Sequence, residues 1–272
     1  MTAILPTTQP EPAEKAPWVT GGVGSAYAPS PALRRAYEIG AAAAASGARI
    51  LIQGGPGVGK KTMARWLHRS APGAARSMAS LVCPAIPLAH VDAELFGDHS
   101  AGAEPRRGLL ELAHEGVALL EEIQLLPLGI VGKLREALAV RSIRPRGADG
   151  RVPADVQLFA TATDDLEALV QRGELSAEYL DLFDVRIDVP PLRERRAEIQ
   201  PLVDLLLVSA SQHHGRALTI SPAALAILAR QVWAGNIREL RAAVERACVL
   251  CPGSEIGPEH VTDKLSSSCS RS

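Results

Sequence analysis

The sequence predicts an α/β fold: a parallel sheet sandwiched between helices in a three-layer domain, followed by a small α-helical lid. Three observations predict it. Short apolar runs at 50–53, 116–120, 156–160 and 185–189 are separated by segments long enough for a helix, such as 129–140; that alternation builds a parallel sheet. The first run breaks into Gly54-Gly55-Pro56-Gly57-Val58-Gly59 and closes on Lys60 before a helical stretch at 61–67. Finally, Pro190-Pro191 ends the last run, and from Arg193 onward the pattern reads as helical only.

In chain order, residues 1–24 are rich in Pro, Thr, Glu and Gly without periodicity and read as a disordered tail, with order expected from Ser25. Ser30-Pro31 caps a helix carrying Leu33, Ala36, Tyr37 and Ile39, which Gly47 stops. The α/β domain then occupies 25–192 and the lid 193–265. Within the lid, Ser221-Pro222 opens a helix with Leu225, Leu228 and Val232 on one face. A second capped start at Asn236 leads into Leu240 and Val244. Pro252-Gly253 ends that helix, and 266–272 read as a second disordered tail.

Composition excludes several classes. With 272 residues, 47% of them hydrophobic, the chain can bury a large core. Lysine and arginine total 29 against 30 acidic residues, a net charge of -1, so nothing pulls the whole chain toward nucleic acid or anionic membrane. No apolar run approaches the roughly 20 residues of a membrane span, and the start lacks a leader pattern, so a cytoplasmic location with no membrane contact is expected. Cys83, Cys248, Cys251 and Cys269 form no zinc set; Cys248 and Cys251 read as small core residues, and His213-His214 as a solvated helix end. The basic cluster Arg141, Arg144 and Arg146 reads as a solvated loop.

The stretch from Gly54 to Lys60 has the chemistry of a phosphate-binding P-loop. Glycines let backbone amides turn inward on a polyphosphate, the next helix presents its positive end, and Lys60 reaches the terminal phosphates. A glycine-rich turn without ligand is the plain alternative. The usual Ser or Thr after the lysine, which holds magnesium, is replaced by Lys61, with Thr62 one place late. Glu121 and Glu122 end the second apolar run. Beside a P-loop they suit an acid that holds magnesium through water and an acid that polarises the attacking water; by themselves they better suit the solvated start of a helix.

These stretches together resemble the central ATPase domain of bacterial enhancer-binding activators of sigma-54 RNA polymerase, a branch of the AAA+ ATPases. The resemblance runs from about Ser25 to Leu265. It rests on the P-loop, Glu94-Leu95-Phe96-Gly97, Glu121-Glu122-Ile123, the string Pro190-Pro191-Leu192-Arg193-Glu194-Arg195, and Trp233-Ala234-Gly235-Asn236-Ile237-Arg238-Glu239-Leu240. It implies ATP or ADP as ligand, contacted by Gly54, Gly57, Val58, Gly59, Lys60, Lys61 and Thr62, with Arg238 sensing the γ-phosphate from the lid. It further implies Glu122 as the catalytic, water-activating acid and Glu121 at the place of a magnesium-associated Asp. Its partners would be AAA+ homologues in a ring and RNA polymerase or its sigma factor.

The departures matter as much. The family's Gly-Ala-Phe-Thr-Gly-Ala loop, which touches the sigma factor, is replaced by the stretch from Asp98 to Gly108, without the Phe-Thr tip. The place of the arginine finger, 174–183, holds no arginine, a loss worth about a thousandfold in related phosphoryl transfer. Thr163 stands at the polar sensor, and Val82 replaces an Asn that restrains the catalytic Glu. The family carries Glu where Lys61 stands, so the charge is reversed. No helix-turn-helix is evident. The expectation is a nucleotide-binding regulator with eroded hydrolysis acting through hetero-oligomeric partners. An active ATPase remodelling sigma-54 RNA polymerase or another protein target and a non-catalytic scaffold are the alternatives.

Overall fold

The computed structural model describes residues 30–71, 77–100 and 104–262; the expected terminal tails, the start of order at Ser25 and Cys269 lie outside the described residues. Two compact units emerge. One holds Arg35–Gly54 and Lys60–Val189. The other collects, of the described residues, 30–34, Gly55–Gly59 and 190–262.

The first unit runs from the end of α1 (Pro31–Ala45) through β1 (Ile50–Gln53), α2 (Lys60–Ser70), β2 (Met78–Val82), α3 (Val91–Phe96), α4 (Leu109–Leu112) and β3 (Val117–Glu121). It continues with α5 (Leu128–Val140), the short antiparallel pair β4 (Ser142–Ile143) and β5 (Val152–Pro153), β6 (Gln157–Ala162), α6 (Leu166–Gln171) and β7 (Val185–Asp188). Five strands pair in parallel in the order β2-β3-β6-β1-β7. β1 is buried at every position, as a strand covered on both faces must be.

Alternation along the strands separates two cores. Leu51, Leu120 and Leu158 pack with Leu95, Val131, Leu134 and Leu166 on one face. Ile52 and its register partner Ile187 turn the other way, where Gly40 of α1 lies against Leu67 of α2. A Cβ on Gly40 would stand 2.7 Å from a Leu67 methyl, so a larger residue there would make the buried Leu67 side chain shift. The register sets Gln53 beside Ala162 and Glu121 beside Thr161, which brings the ends of β1, β3 and β6 to one edge of the sheet.

β2 was not anticipated. Its sequence Met78-Ala79-Ser80-Leu81-Val82 lacks a branched apolar run, and it is a strand because it pairs residue for residue with β3.

The second unit contains α7 (Ile199–His214), β8 (Thr219–Ile220), α8 (Pro222–Arg230), α9 (Asn236–Leu250), β9 (Glu255–Ile256) and α10 (Pro258–Thr262). Its core joins Leu192, Ile199, Val203, Leu228, Trp233, Leu240 and Val244. The expectation of helices alone is corrected by the parallel pairing of β8 with β9, too short to show a period in sequence. Ser221 caps α8 by accepting from the Ala224 amide at 3.2 Å. Val232 lies beyond that helix and is exposed, against its expected place on the apolar face. Trp233 ends α8 instead, its indole Nε1 donating to the Leu228 carbonyl at 2.8 Å. The C-terminal end of α9 is closed by Arg216, whose guanidinium donates to the carbonyls of Cys248, Cys251, Pro252 and Gly253. Cys248 and Cys251 are buried there.

Candidate functional site

β1 delivers its chain directly into the glycine loop at the carboxyl edge of the sheet. Gly54, Gly57 and Gly59 have φ of 145, 73 and 109°, backbone that side-chain-bearing residues rarely adopt. Lys60 then begins α2. Its Nζ donates to the Gly54 carbonyl at 2.7 Å and to Thr163 Oγ1 at 3.1 Å, and lies 3.6 Å from Glu122 Oε1. The ammonium is therefore held at the sheet edge by the first residue of the loop and by Thr163, in the first turn of α2, where an anion is favoured.

Glu122 follows β3 in a left-handed conformation, φ 60 and ψ 57°, uncommon outside glycine and Asn. That turn aims its carboxylate at β6. Oε2 accepts from the Thr163 amide at 3.0 Å and from Gln124 Nε2 at 2.9 Å, while the Glu122 amide donates to Thr161 Oγ1 at 3.3 Å. Burial works to raise its pKa, but the hydrogen bonds from Thr163 and Gln124 and the charge of Lys60 outweigh it and hold the carboxyl below its usual range. It is ionised at neutral pH.

Glu121, the last residue of β3, meets Lys61 of α2, with Nζ 2.6 Å from Oε1. Thr62 is exposed. A magnesium ion bonded directly to Glu121 does not fit this arrangement. A metal about 2.1 Å from the same carboxylate oxygen would lie within about 5 Å of the ammonium already there, 2.6 Å from that oxygen. Two unit charges 4 Å apart at an effective dielectric near 20 oppose each other by about 4 kcal/mol, and a divalent ion doubles that.

Val82, at the end of β2, is a partly exposed apolar side chain and supplies no polar restraint. Gln124 supplies a polar contact instead, its Nε2 donating to Glu122 Oε2. Cys83, next to Val82, is buried, and burial pushes its thiol up to about 12, with the charges of Glu121 and Glu122 adding to the shift.

The middle of the glycine loop, Gly55–Gly59, packs within the helical unit. Asn236 Nδ2 donates to the Pro56 carbonyl at 2.9 Å, the Ile237 amide to the Gly57 carbonyl at 3.0 Å, and Arg195 Nη2 to the Val58 carbonyl at 2.6 Å. Asn236 also accepts from the Leu192 amide at 2.7 Å. Its side chain therefore ties two segments rather than capping its own helix; α9 starts after Gly235, whose amide donates to Glu239 Oε2 at 2.8 Å. Arg195 is itself held by Glu198 at 3.0 Å, both fully buried. A Cβ on Gly57 would overlap the Gly235 carbonyl at 2.3 Å and stand 2.9 Å from Arg238 Cβ. Arg238 is exposed and has no hydrogen bond or ion pair among the described residues. Val58 is buried, so only its backbone is available to a ligand.

The sequence reading missed the parts played by Arg195, Gln124 and Asn236. Arg195 and Glu198 stand three apart within or beside the quoted Pro-Pro-Leu-Arg-Glu-Arg string, and Asn236 lies inside another, but their partners are carbonyls remote in sequence. Thr161 offered no signal. In the loop after Gly97, Asp98 and Arg106 exchange backbone hydrogen bonds at 2.9 and 2.8 Å, and Arg146 donates to the Gly97 carbonyl at 3.0 Å. The centre of that loop, 101–103, lies outside the described residues. Arg141 and Arg144 of the basic cluster are exposed, Arg141 facing Asp155 at 3.3 Å.

A P-loop leaving the central part of a parallel sheet, joined to a helical lid, defines an AAA+ ATPase fold. Residues 27–191 match the sigma-54 interaction domain, and 193–272 match the AAA+ ATPase lid domain; the chain belongs to the sigma-54 interaction domain family of transcriptional regulators. It is 37% identical over 237 residues to the response regulator protein FleR of Pseudomonas aeruginosa, covering 84% of this chain and 50% of FleR. It is 34% identical over 243 residues to the regulatory protein AtoC of Escherichia coli, covering 87% of this chain and 52% of AtoC. The chain thus spans about half the length of these relatives. Among solved structures, NtrX from Brucella abortus in complex with ADP superposes with a TM-score of 0.77 at 27% identity, over 88% of this chain and 54% of NtrX. NtrX has also been solved with ATP. Among the described residues no helix is long and apolar enough to cross a membrane.

Proposed function

We propose that the chain is an ATP- and ADP-binding regulator of sigma-54-dependent transcription whose own hydrolysis is slow and which acts within rings containing complete AAA+ homologues. The observation that carries the nucleotide half is Lys60, poised at the mouth of three positive-φ glycines with its Nζ on Gly54 and Thr163. The NtrX complexes with ADP and ATP support the same ligand.

In this reading the amides of Gly57, Val58 and Gly59 cradle the phosphates and Lys60 offsets their charge. Arg238 meets the terminal phosphate, and Thr62 stays at the rim. Glu122 orients and deprotonates water; Thr163 and Gln124 hold its carboxylate, the latter taking over the restraint that Val82 cannot give. A carboxyl held below its usual range is a weak base, which favours slow turnover. The absence of any arginine at 174–183 points the same way, because no subunit of a homo-oligomer would offer a finger from there. The loop after Gly97, lacking Phe and Thr, supports action through partners rather than by its own grip on a sigma factor.

Calorimetric titration with ATP and ADP tests the nucleotide half: binding is expected in the micromolar range, about -8 kcal/mol, and is lost in Lys60→Ala. Heat from neither nucleotide leaves only a scaffold. Steady turnover by the chain alone, abolished in Glu122→Gln, would instead establish a self-sufficient ATPase. Titrating the chain into an intact homologue is expected to change ring size or ATP turnover, and a flat response removes the mixed-ring reading.

A further inference from the structure

We propose that the Lys61–Glu121 ion pair takes the place of magnesium, so that this chain binds adenine nucleotide without a divalent cation. The inference rests on nucleotide being the ligand of the P-loop. Lys61 follows the loop lysine in the first turn of α2, where the general P-loop pattern has a metal-holding hydroxyl and the resembled family a Glu, so the charge at this position is reversed. Its ammonium lies 2.6 Å from Glu121 Oε1, and neither side chain has another polar partner among the described residues. Glu121 is mostly buried, whereas the lysine is 39% exposed, so the carboxylate anchors a cation whose remaining donors are open to solvent.

Two ammonium groups in sequence, Lys60 and Lys61, thus stand at the N-terminus of α2. Lys60 is fixed against the sheet edge, and Lys61 is tethered on the side of the strand-tip acid. A polyphosphate meets there a tethered ammonium with N–H donors open to solvent, in place of the positive charge and oxygen coordination that a magnesium ion would supply. A divalent ion seeking the same carboxylate has to expel Lys61 first. Thr62, one residue on, does not rescue the metal site, because a step of one residue turns it about 100° around the helix and leaves it exposed.

The test titrates the full chain with ADP and with ATP, once in EDTA and once in excess magnesium chloride, alongside Lys61→Ser. The parent is expected to bind with affinities within about threefold in the two buffers. Lys61→Ser is expected to lose about tenfold in EDTA, near 1.4 kcal/mol, and to recover in magnesium. Parent binding that needs magnesium overturns this inference and leaves the nucleotide reading standing. Metal-independent binding by parent and variant alike also overturns it, since Lys61 is then not the substitute. Binding in neither buffer removes the nucleotide reading and this inference together.

Discussion

Glu122 combines two unusual properties, a left-handed backbone and an ionised carboxylate held by Thr163 and Gln124 beside Lys60. The conformation costs of order 1–3 kcal/mol, and the hydrogen bonds to Thr163 and Gln124 are what hold it. Because the folded pKa is lowered from 4.5, the stabilisation from this carboxylate is fully present above that value and is lost as pH falls through the lower folded one. Thermal melts between about pH 5 and pH 3 should therefore show a shallower fall in Tm for Glu122→Gln than for the parent. Parallel curves would mean that the carboxylate has no net attraction to its partners. Gly57 illustrates the opposite kind of residue, one defined by what it lacks: its positive φ and the Gly235 carbonyl leave no room for a side chain.

At the scale of elements, the glycine loop is shaped by the helical unit as much as by its own glycines. Arg195 and Glu198 form a buried pair that reaches the Val58 carbonyl and, through Glu198, the Ser30 amide at 3.0 Å. Removing one partner of such a pair strands a charge and costs about 3–5 kcal/mol, whereas replacing both with apolar groups costs less. Arg195→Ala should accordingly lower denaturant stability by more than the double variant Arg195→Met/Glu198→Leu. Equal losses would show that the carbonyl contact, and not the buried charge, dominates. The five strands tell a related story. β1, β3, β6 and β7 could be read from their apolar runs; β2 could not, because its sequence is permissive and its pairing with β3 decides. The pairing of β8 with β9 was hidden for the same reason.

For the molecule as a whole, the chain crosses between its two compact units within α1 after Arg34, at both edges of the glycine loop, and again after Val189. The helical unit is thus not a contiguous sequence domain: Pro56, Gly57 and Val58 supply acceptors that Asn236, Ile237 and Arg195 use. Residues 190–272 expressed alone should consequently melt at lower temperature and with less cooperativity than the full chain's helical signal, followed by circular dichroism. A fragment as stable as the full chain would show that the loop contributes nothing to the lid's core of Leu192, Ile199, Leu240 and Val244.

Motif chemistry was written locally and could be read directly. The glycine loop, Lys60, the acidic pair at the tip of β3 and the lid's opening strings each depend on neighbours in sequence, through backbone freedom, helix polarity and strand period. Those features placed the chain in its family and named the residues around the loop. Tertiary structure alone decided which charges face each other. Lys61 meets Glu121, Gln124 donates to the Glu122 carboxylate, and Arg195 reaches the Val58 carbonyl. Such pairings are set by the register of β3 against β6 and by where the helical unit receives the loop. Both are distances across the fold, which a one-dimensional pattern does not contain.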